Sequence, residues 1–300
     1  METVQIRTST DKNCNTQDAP PRKRRRTESV WRSRDHFEDL YEVQDVFAKG
    51  GFGMVCAGRR RADNTPVAVK FINKCQVKYI NVVMNGEECR TIKEAALMVR
   101  GGRRSNFVVN LLDLFDLKHQ AILIMERPTC AIDLHTYRKE RGHLTEDQTK
   151  NILRQTVSAL VHIHANGVFH RDIKEKNILV LSNSTSPRIK IIDFGCSCLV
   201  SEEPYQPGMF AGTPSFAPPE VLWHEEYNSG PTTVWQLGAM MWQMTSYYRG
   251  FSTKKFLEGS LKHIRDLSDV GMDFLNLCLL VDEDHRATLK ELQRHPWLKL

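Results

Sequence analysis

Residues 169–179 read FHRDIKEKNIL. A histidine and a run of nearly alternating cations and anions end abruptly in apolar residues. Charge mixed this densely is ordinarily the solvated face of a helix. The competing reading is a loop in which Asp172, Lys174 and Asn177 hold fixed places around a reacting group. What accompanies the stretch elsewhere in the chain decides between them.

Just downstream, KIIDFG sets Asp193 at the end of an apolar strand. Far upstream, AKGGFGMV runs from Ala48 and Lys49 through Gly50, Gly51, Phe52 and Gly53 to Val55, between two strand candidates. Its glycines let the backbone approach a ligand closely and turn N–H groups toward phosphate oxygens, although many glycine-rich hairpins bind nothing. Fifteen residues beyond Val55, the strand VAVK ends on Lys70. An anion plus a fixed carboxylate explains a lysine in that position, and Glu94 in TIKEAAL is the candidate partner. Asp172 can accept a proton from a substrate hydroxyl, and Lys174 can neutralise charge on a phosphate in transfer. Asn177 and Asp193 are hard oxygen donors suited to Mg²⁺. Phosphoryl transfer asks for positioning and charge neutralisation more than covalent chemistry, and these residues supply both.

With these motifs in order, the chain resembles the protein kinase family from about Leu40 to Leu298. The resemblance implies an α+β, bilobal fold. A small antiparallel β-sheet lobe with one main helix spans about 37–126, a hinge lies at 126–130, and a larger, mostly helical lobe spans about 131–298. It implies ATP and Mg²⁺ as cofactors and Asp172, Lys174, Lys70 and Glu94 as catalytic residues. Nucleotide contacts would come from Ala48 to Gly53, Val55, Ala68, Lys70, Met125, Glu126, Pro128, Asp133, Leu179 and Asp193, with Asn177 and Asp193 on the metal. Met98, His170 and Phe194 match the family's apolar spine, and Glu220 with Arg286 its buried ion pair.

Within the family the chain is similar to the PIM serine/threonine kinases. The hinge Glu126-Arg127-Pro128 lacks a backbone N–H at Pro128, so adenine loses one donor, at a cost of about 0.5–1.5 kcal/mol. APPE at Ala217–Glu220, VWQLG preceded by Thr233 instead of the usual aspartate, and the HPWL ending agree with that subfamily. Lys174 marks a serine/threonine enzyme, and Thr213 sits where the substrate-facing loop meets Asp172. The resemblance further implies activity without activation-loop phosphorylation. Glu202 or Glu203 could serve Arg171 as a standing anion, or both could simply be solvated. Substrates preceded by arginine are expected from Asp133 and Glu175, although Lys176 and Thr136 replace acids of that family. Ala48 replaces the first glycine of the phosphate loop, so slower or weaker nucleotide handling is expected.

The remaining sequence sets bounds. Apolar residues at 41%, charged residues at 26% and a net charge of +6 describe a chain able to bury a core. Eight cysteines without a CxxC pair, no signal-peptide pattern and no long apolar run suggest a reduced intracellular protein without a membrane span. Strand-type runs are YEVQDVF, MVCAG, PVAVKFI, FVVNLLDLF and QAILIME. Helices are expected over TIKEAALMVR, over LTEDQTKNILRQTVSALVHIHANG with a Thr145/Gln148 capping box, and around VWQLGAMMWQM, GMDFLNLCLL and TLKELQRH. Residues 1–36 read as a disordered basic tail whose Arg22–Arg26 run is a solvated tail, an import signal or a nucleic-acid contact. Thr27 and Ser29 follow arginines in a pattern that suits autophosphorylation. The expected protein is a monomeric serine/threonine kinase of cytosol and nucleus, with no direct nucleic-acid partner. The rival is a pseudokinase scaffold of the same fold.

Overall fold

The computed structural model describes residues 4–5, 33–50, 53–84, 87–142, 144–181, 187–246, 250–261 and 267–299. Arg22–Arg26, Thr27, Ser29, Gly51 and Phe52 lie outside the described residues. The chain divides into two compact units, one of residues up to Ala96 plus Leu111–Glu126, the other of Leu97–Asn110 plus Arg127 onward.

The first unit is built on an antiparallel sheet in the order Tyr41–Gly50, Gly53–Arg60, Pro66–Asn73, Gln120–Glu126, Leu111–Asp116. The turn at Asp63-Asn64 is made by Asn64 at φ 56° and by a two-point Arg60–Asp63 pair at 3.0 and 2.7 Å. Central strands apolar on both faces must be covered twice. Val67, Val69, Ile122 and Ile124 bury against Phe37, Tyr41 and Phe115. Ile72, Ala121 and Leu123, on the face shared with Ala68 and Lys70, bury against Ile92 and Ala95.

Phe37 comes from a helix, Arg34–Leu40, that Ser33 caps through its hydroxyl, so regular structure begins inside the stretch expected to be disordered. Val4–Gln5 also adds a short strand to the hairpin Tyr79–Met84 and Glu87–Ile92. The run FVVNLLDLF becomes a strand only from Leu111. Before it, Val108 makes a lone parallel bridge to Ile191 in the second unit.

The second unit is helical. Glu146–Ala165 starts on the Thr145/Gln148 capping box and ends before Gly167 at φ 70°. Ser229–Thr245 is buried almost all round, and from Val234 to Met244 its sequence is apolar except for Gln236 and Gln243. Asp269–Cys278 and Leu289–Arg294 complete the layer, and Trp297 Nε1 closes the C-terminal end onto Glu146 Oε1 at 2.7 Å. A small sheet ordered Arg188–Ile191, Ile178–Leu181, Ala131–Asp133 carries the functional loops.

Two polar contacts, one buried and one part-buried, fix this unit. Arg286 grips Glu220 at 2.9 and 3.0 Å and also donates to Leu280 O, Pro231 O and Val281 O, with Trp235 5.0 Å from the guanidinium. Both partners are 4% exposed, so losing either strands a buried charge. His164 Nε2 lies 3.0 Å from Thr233 Oγ1, whose own proton goes to Ser229 O at 2.7 Å. The imidazole is therefore the neutral donor. Burial, with a smaller push from His170, holds its pKa at about 4.

Glu220→Ala should lower unfolding free energy by about 3–5 kcal/mol in a urea melt, and an unchanged melt would remove the pair from the account. His164 sets an acid limit. Well above pH ~6.5 neither folded nor unfolded imidazole is charged and its contribution is complete. As pH falls toward 4, the unfolded chain takes a proton that the folded chain refuses, costing roughly 3 kcal/mol. His164→Gln should show a shallower loss of stability between pH 7 and 4.5, whereas equal slopes would contradict the assignment.

Candidate active site

The first unit brings one set of the expected residues together. Ala48 pairs with Val55, Val55 with Lys70, and Lys70 with Leu123, while Ala68 pairs with Met125. Val55, Ala68, Lys70 and Met125 thus share one sheet face by strand alternation. Lys70 is 5% exposed, and its ammonium meets Glu94 Oε1 at 2.6 Å from the first turn of the helix Lys93–Gly101. At the hairpin end Lys49 pairs with Met54 and Gly50 with Gly53. Gly53 has φ 122°, and a Cβ there would stand 2.1 Å from Phe71 O. That glycine is demanded by the sheet itself, whatever the loop binds. The strand carrying Met125 stops at Glu126, and Pro128 follows half-buried.

The second unit assembles the 169–179 loop, which is no solvated helix face. Asp172 is 3% exposed and its carboxylate is filled with donors. Oδ1 accepts from Thr213 N–H at 2.9 Å and the Thr213 hydroxyl at 2.6 Å. Oδ2 accepts from Asn177 Nδ2 at 3.0 Å and from Lys174 Nζ at 2.7 Å. Lys174 also donates to Thr213 Oγ1 at 2.8 Å, so lysine, threonine and carboxylate close a ring. A 3₁₀ turn over Glu175–Asn177 brings the amide back to Asp172, where it also donates to the main-chain carbonyl at 2.8 Å. The Asn177 side-chain oxygen makes no hydrogen bond among the described residues.

Asp193 is tied to the same place through the backbone. Ile192 N–H donates to Asn177 O at 3.0 Å, and Asp193 Oδ1 accepts from Gly195 N–H at 3.3 Å. His170, fully buried, bridges the two loops: Nε2–H donates to Ile192 O at 3.1 Å and Nδ1 accepts from Asp172 N–H at 3.3 Å. Burial lowers its pKa, which keeps this neutral tautomer in place. Its ring sits edge-on to Phe194 at 4.9 Å. Arg171 at φ 69° and Asp193 at φ 66° adopt left-handed backbone without being glycine, a strain of order 1–3 kcal/mol each that such sites retain when their surroundings over-determine them. No group of three or more His, Cys, Asp or Glu that could hold a metal ion occurs among the described residues. Asn177 and Asp193 offer instead the one or two oxygens that suit a hard cation bound mainly through phosphate and water.

Several side chains do other work than expected. Arg171 donates to Cys196 O and Met209 O, while Glu202 and Glu203 are exposed, so neither is the standing anion considered above. Glu175 is 2% exposed, held by Arg138 at 2.7 and 3.2 Å, His135 at 3.3 Å and Gln243 at 3.1 Å. Asp133, the strand partner of Leu179, caps the helix Leu134–Arg141 through Thr136 N–H at 3.0 Å and the Thr136 hydroxyl at 2.8 Å. Burial pushes the Cys196 thiol up to about 12, and it donates to Ala211 O at 2.7 Å; it is no nucleophile. Sequence reasoning missed Gln236, whose amide meets the catalytic loop. The signal was one of the two glutamines, with Gln243, that interrupt the otherwise apolar VWQLGAMMWQM.

The protein kinase domain model matches residues 41–298. The chain is 31% identical over 273 residues to serine/threonine-protein kinase pim-2 of Danio rerio, covering 88% of this chain and 86% of that one. It is 30% identical to serine/threonine-protein kinase prk-2 of Caenorhabditis elegans, covering 88% of this chain and 59% of the relative. NUAK family SNF1-like kinase 1 of Homo sapiens is 29% identical, over 86% of this chain and 38% of the relative.

Proposed function

Because the chain belongs to the protein kinase family and is an ATP-dependent serine/threonine kinase, we propose that it acts in the PIM manner, with Mg²⁺ and without phosphorylation of its own activation segment. The observation that carries the reading is the Asp172 carboxylate, bound at once by Thr213, Lys174 and Asn177. Oriented in this way, Asp172 takes the proton of the attacking hydroxyl. Lys174 supplies positive charge to the phosphate in transfer, and Lys70, held by Glu94, supplies it to the other phosphate oxygens. Asn177 Oδ1 and the Asp193 carboxylate would hold Mg²⁺, which neutralises phosphate charge when bound.

Independence from phosphorylation is supported by Arg171, whose guanidinium is already held by two main-chain carbonyls without a phosphate. Tyr205 adds to it. The main chains of Tyr205 and Tyr227 exchange hydrogen bonds at 2.8 and 3.0 Å, and the Tyr205 hydroxyl donates to Leu199 O at 2.6 Å, pinning the segment with neutral contacts. We also propose substrates with upstream arginine, selected less sharply than Asp133 and Glu175 alone suggest, because both carboxylates are engaged internally. A monomer working in cytosol and nucleus completes the proposal. No helix among the described residues is long and apolar enough to cross a membrane.

Transfer of labelled γ-phosphate to an arginine-rich serine peptide tests this reading. Phosphatase-treated protein should keep its full rate, and Asp172→Asn should lose about 10²–10⁴-fold, the span of general-base contributions. Equal, background-level transfer by both proteins would favour the pseudokinase. Collapse on phosphatase treatment would end the claim of independence.

A further inference from the structure

Gln236 lies in the middle of the helix Ser229–Thr245 and is 0% exposed. Its amide is spent on the main chain on both sides of Asp172. Nε2 donates to Arg171 O at 2.6 Å, and Oε1 accepts from Ile173 N–H at 3.1 Å. A primary amide has a donor and an acceptor side by side, so it pairs with such a backbone segment as a neighbouring strand would. The residue whose carbonyl it holds, Arg171, is the left-handed one.

Two neighbours point the same way. Thr233, three residues earlier on the helix, donates its hydroxyl to Ser229 O and accepts from His164 Nε2, which leaves the loop contact to Gln236. Gly212 precedes the Thr213 that donates to Asp172. A Cβ on Gly212 would fall 2.3 Å from Arg171 O and 3.1 Å from Gln236 Nε2. The bare glycine therefore lets the amide and Thr213 close on Asp172 together.

We infer that Gln236 is a positioning residue for phosphoryl transfer: it brackets Asp172, holds Arg171 in its left-handed conformation and so aims the Asp172 carboxylate. The inference rests on the kinase reading above. A side chain that served only as a strut between helix and loop would affect stability and leave the chemical step alone.

Gln236→Met keeps the volume and removes both hydrogen bonds. Gln236→Glu reproduces donor and acceptor only while its carboxyl is protonated; once ionised, it faces Arg171 O with no proton to give. Transfer should be measured from pH 6 to 9, with each variant's kcat divided by that of the wild type at the same pH. This division removes any pH dependence that the variants share with the wild type. The expected result for Gln236→Met is a drop in kcat of at least about tenfold, with KM for ATP within twofold. For Gln236→Glu the ratio should be highest at pH 6 and fall at least about tenfold by pH 9, again at constant KM.

A Gln236→Glu ratio that is flat with pH, at any level, or an effect confined to KM, overturns the inference. So does a folded Gln236→Met with wild-type kcat. If Gln236→Met does not fold, Gln236→Glu carries the test. Should the wild type itself transfer no phosphate, the kinase reading fails. Deuterium exchange at the Ile173 amide then still tests the contact, with faster exchange expected in the folded variants and unchanged exchange refuting it.

Discussion

Arg171 and Asp193 occupy left-handed backbone without the freedom of glycine, one just before the proposed base and the other at the proposed metal ligand. Left to itself, each would relax. What prevents this is a dense set of polar contacts: Gln236 on Arg171 O, the Arg171 guanidinium on two carbonyls, His170 between Ile192 O and Asp172 N–H, and Ile192 N–H on Asn177 O. Asp172 is then closed in by Thr213, Lys174 and Asn177. Partly satisfied networks of this kind are costly and fully satisfied ones are rigid, so the value of each contact depends on the others. Half-buried His164 and fully buried His170 stay neutral because desolvation disfavours their charged forms, and the network keeps its tautomers as a result.

The first unit solves a different problem. It must hold an ammonium on a strand face where neighbours are apolar, and Glu94 makes this possible at 2.6 Å. The helix bearing Glu94 is seated by its own Ala95 and by Ile92 just before it, against Ile72, Ala121 and Leu123, so hydrophobic packing sets the position of the ion pair. The other face of the sheet is sealed by Phe37 and its aromatic neighbours, with Phe37 5.4 Å from Phe115 and 6.1 Å from Tyr41. In both units, charge is fixed by elements whose own stability comes from apolar burial.

Much of this was legible in the sequence, for identifiable reasons. Alternation marked the strands through Pro66–Asn73 and Gln120–Glu126, and the capping box placed the start of Glu146–Ala165. The motif residues declared themselves by spacing and charge. What stayed hidden depended on distant partners. The hairpin Tyr79–Met84 and Glu87–Ile92 went unread although its strands flank Asn85-Gly86, a strong hairpin signal. Arg34–Leu40 sits at the end of a polar tail and buries only Phe37, too little to show as a helical stripe. Glu175 looked like a free acid beside Lys174, yet Arg138 and Gln243, 37 and 68 positions away, take its oxygens. No local pattern announces that kind of saturation, and the Gln236 contact with Ile173, 63 positions away, is hidden for the same reason.

A crystal structure of the protein with Mg²⁺, a non-hydrolysable ATP analogue and a serine peptide tests the central claim most directly. The serine hydroxyl oxygen is expected within about 2.6–3.2 Å of the Asp172 carboxylate, with the metal on Asn177 and Asp193. A hydroxyl bound to some other group, with Asp172 turned away from it, would contradict the account.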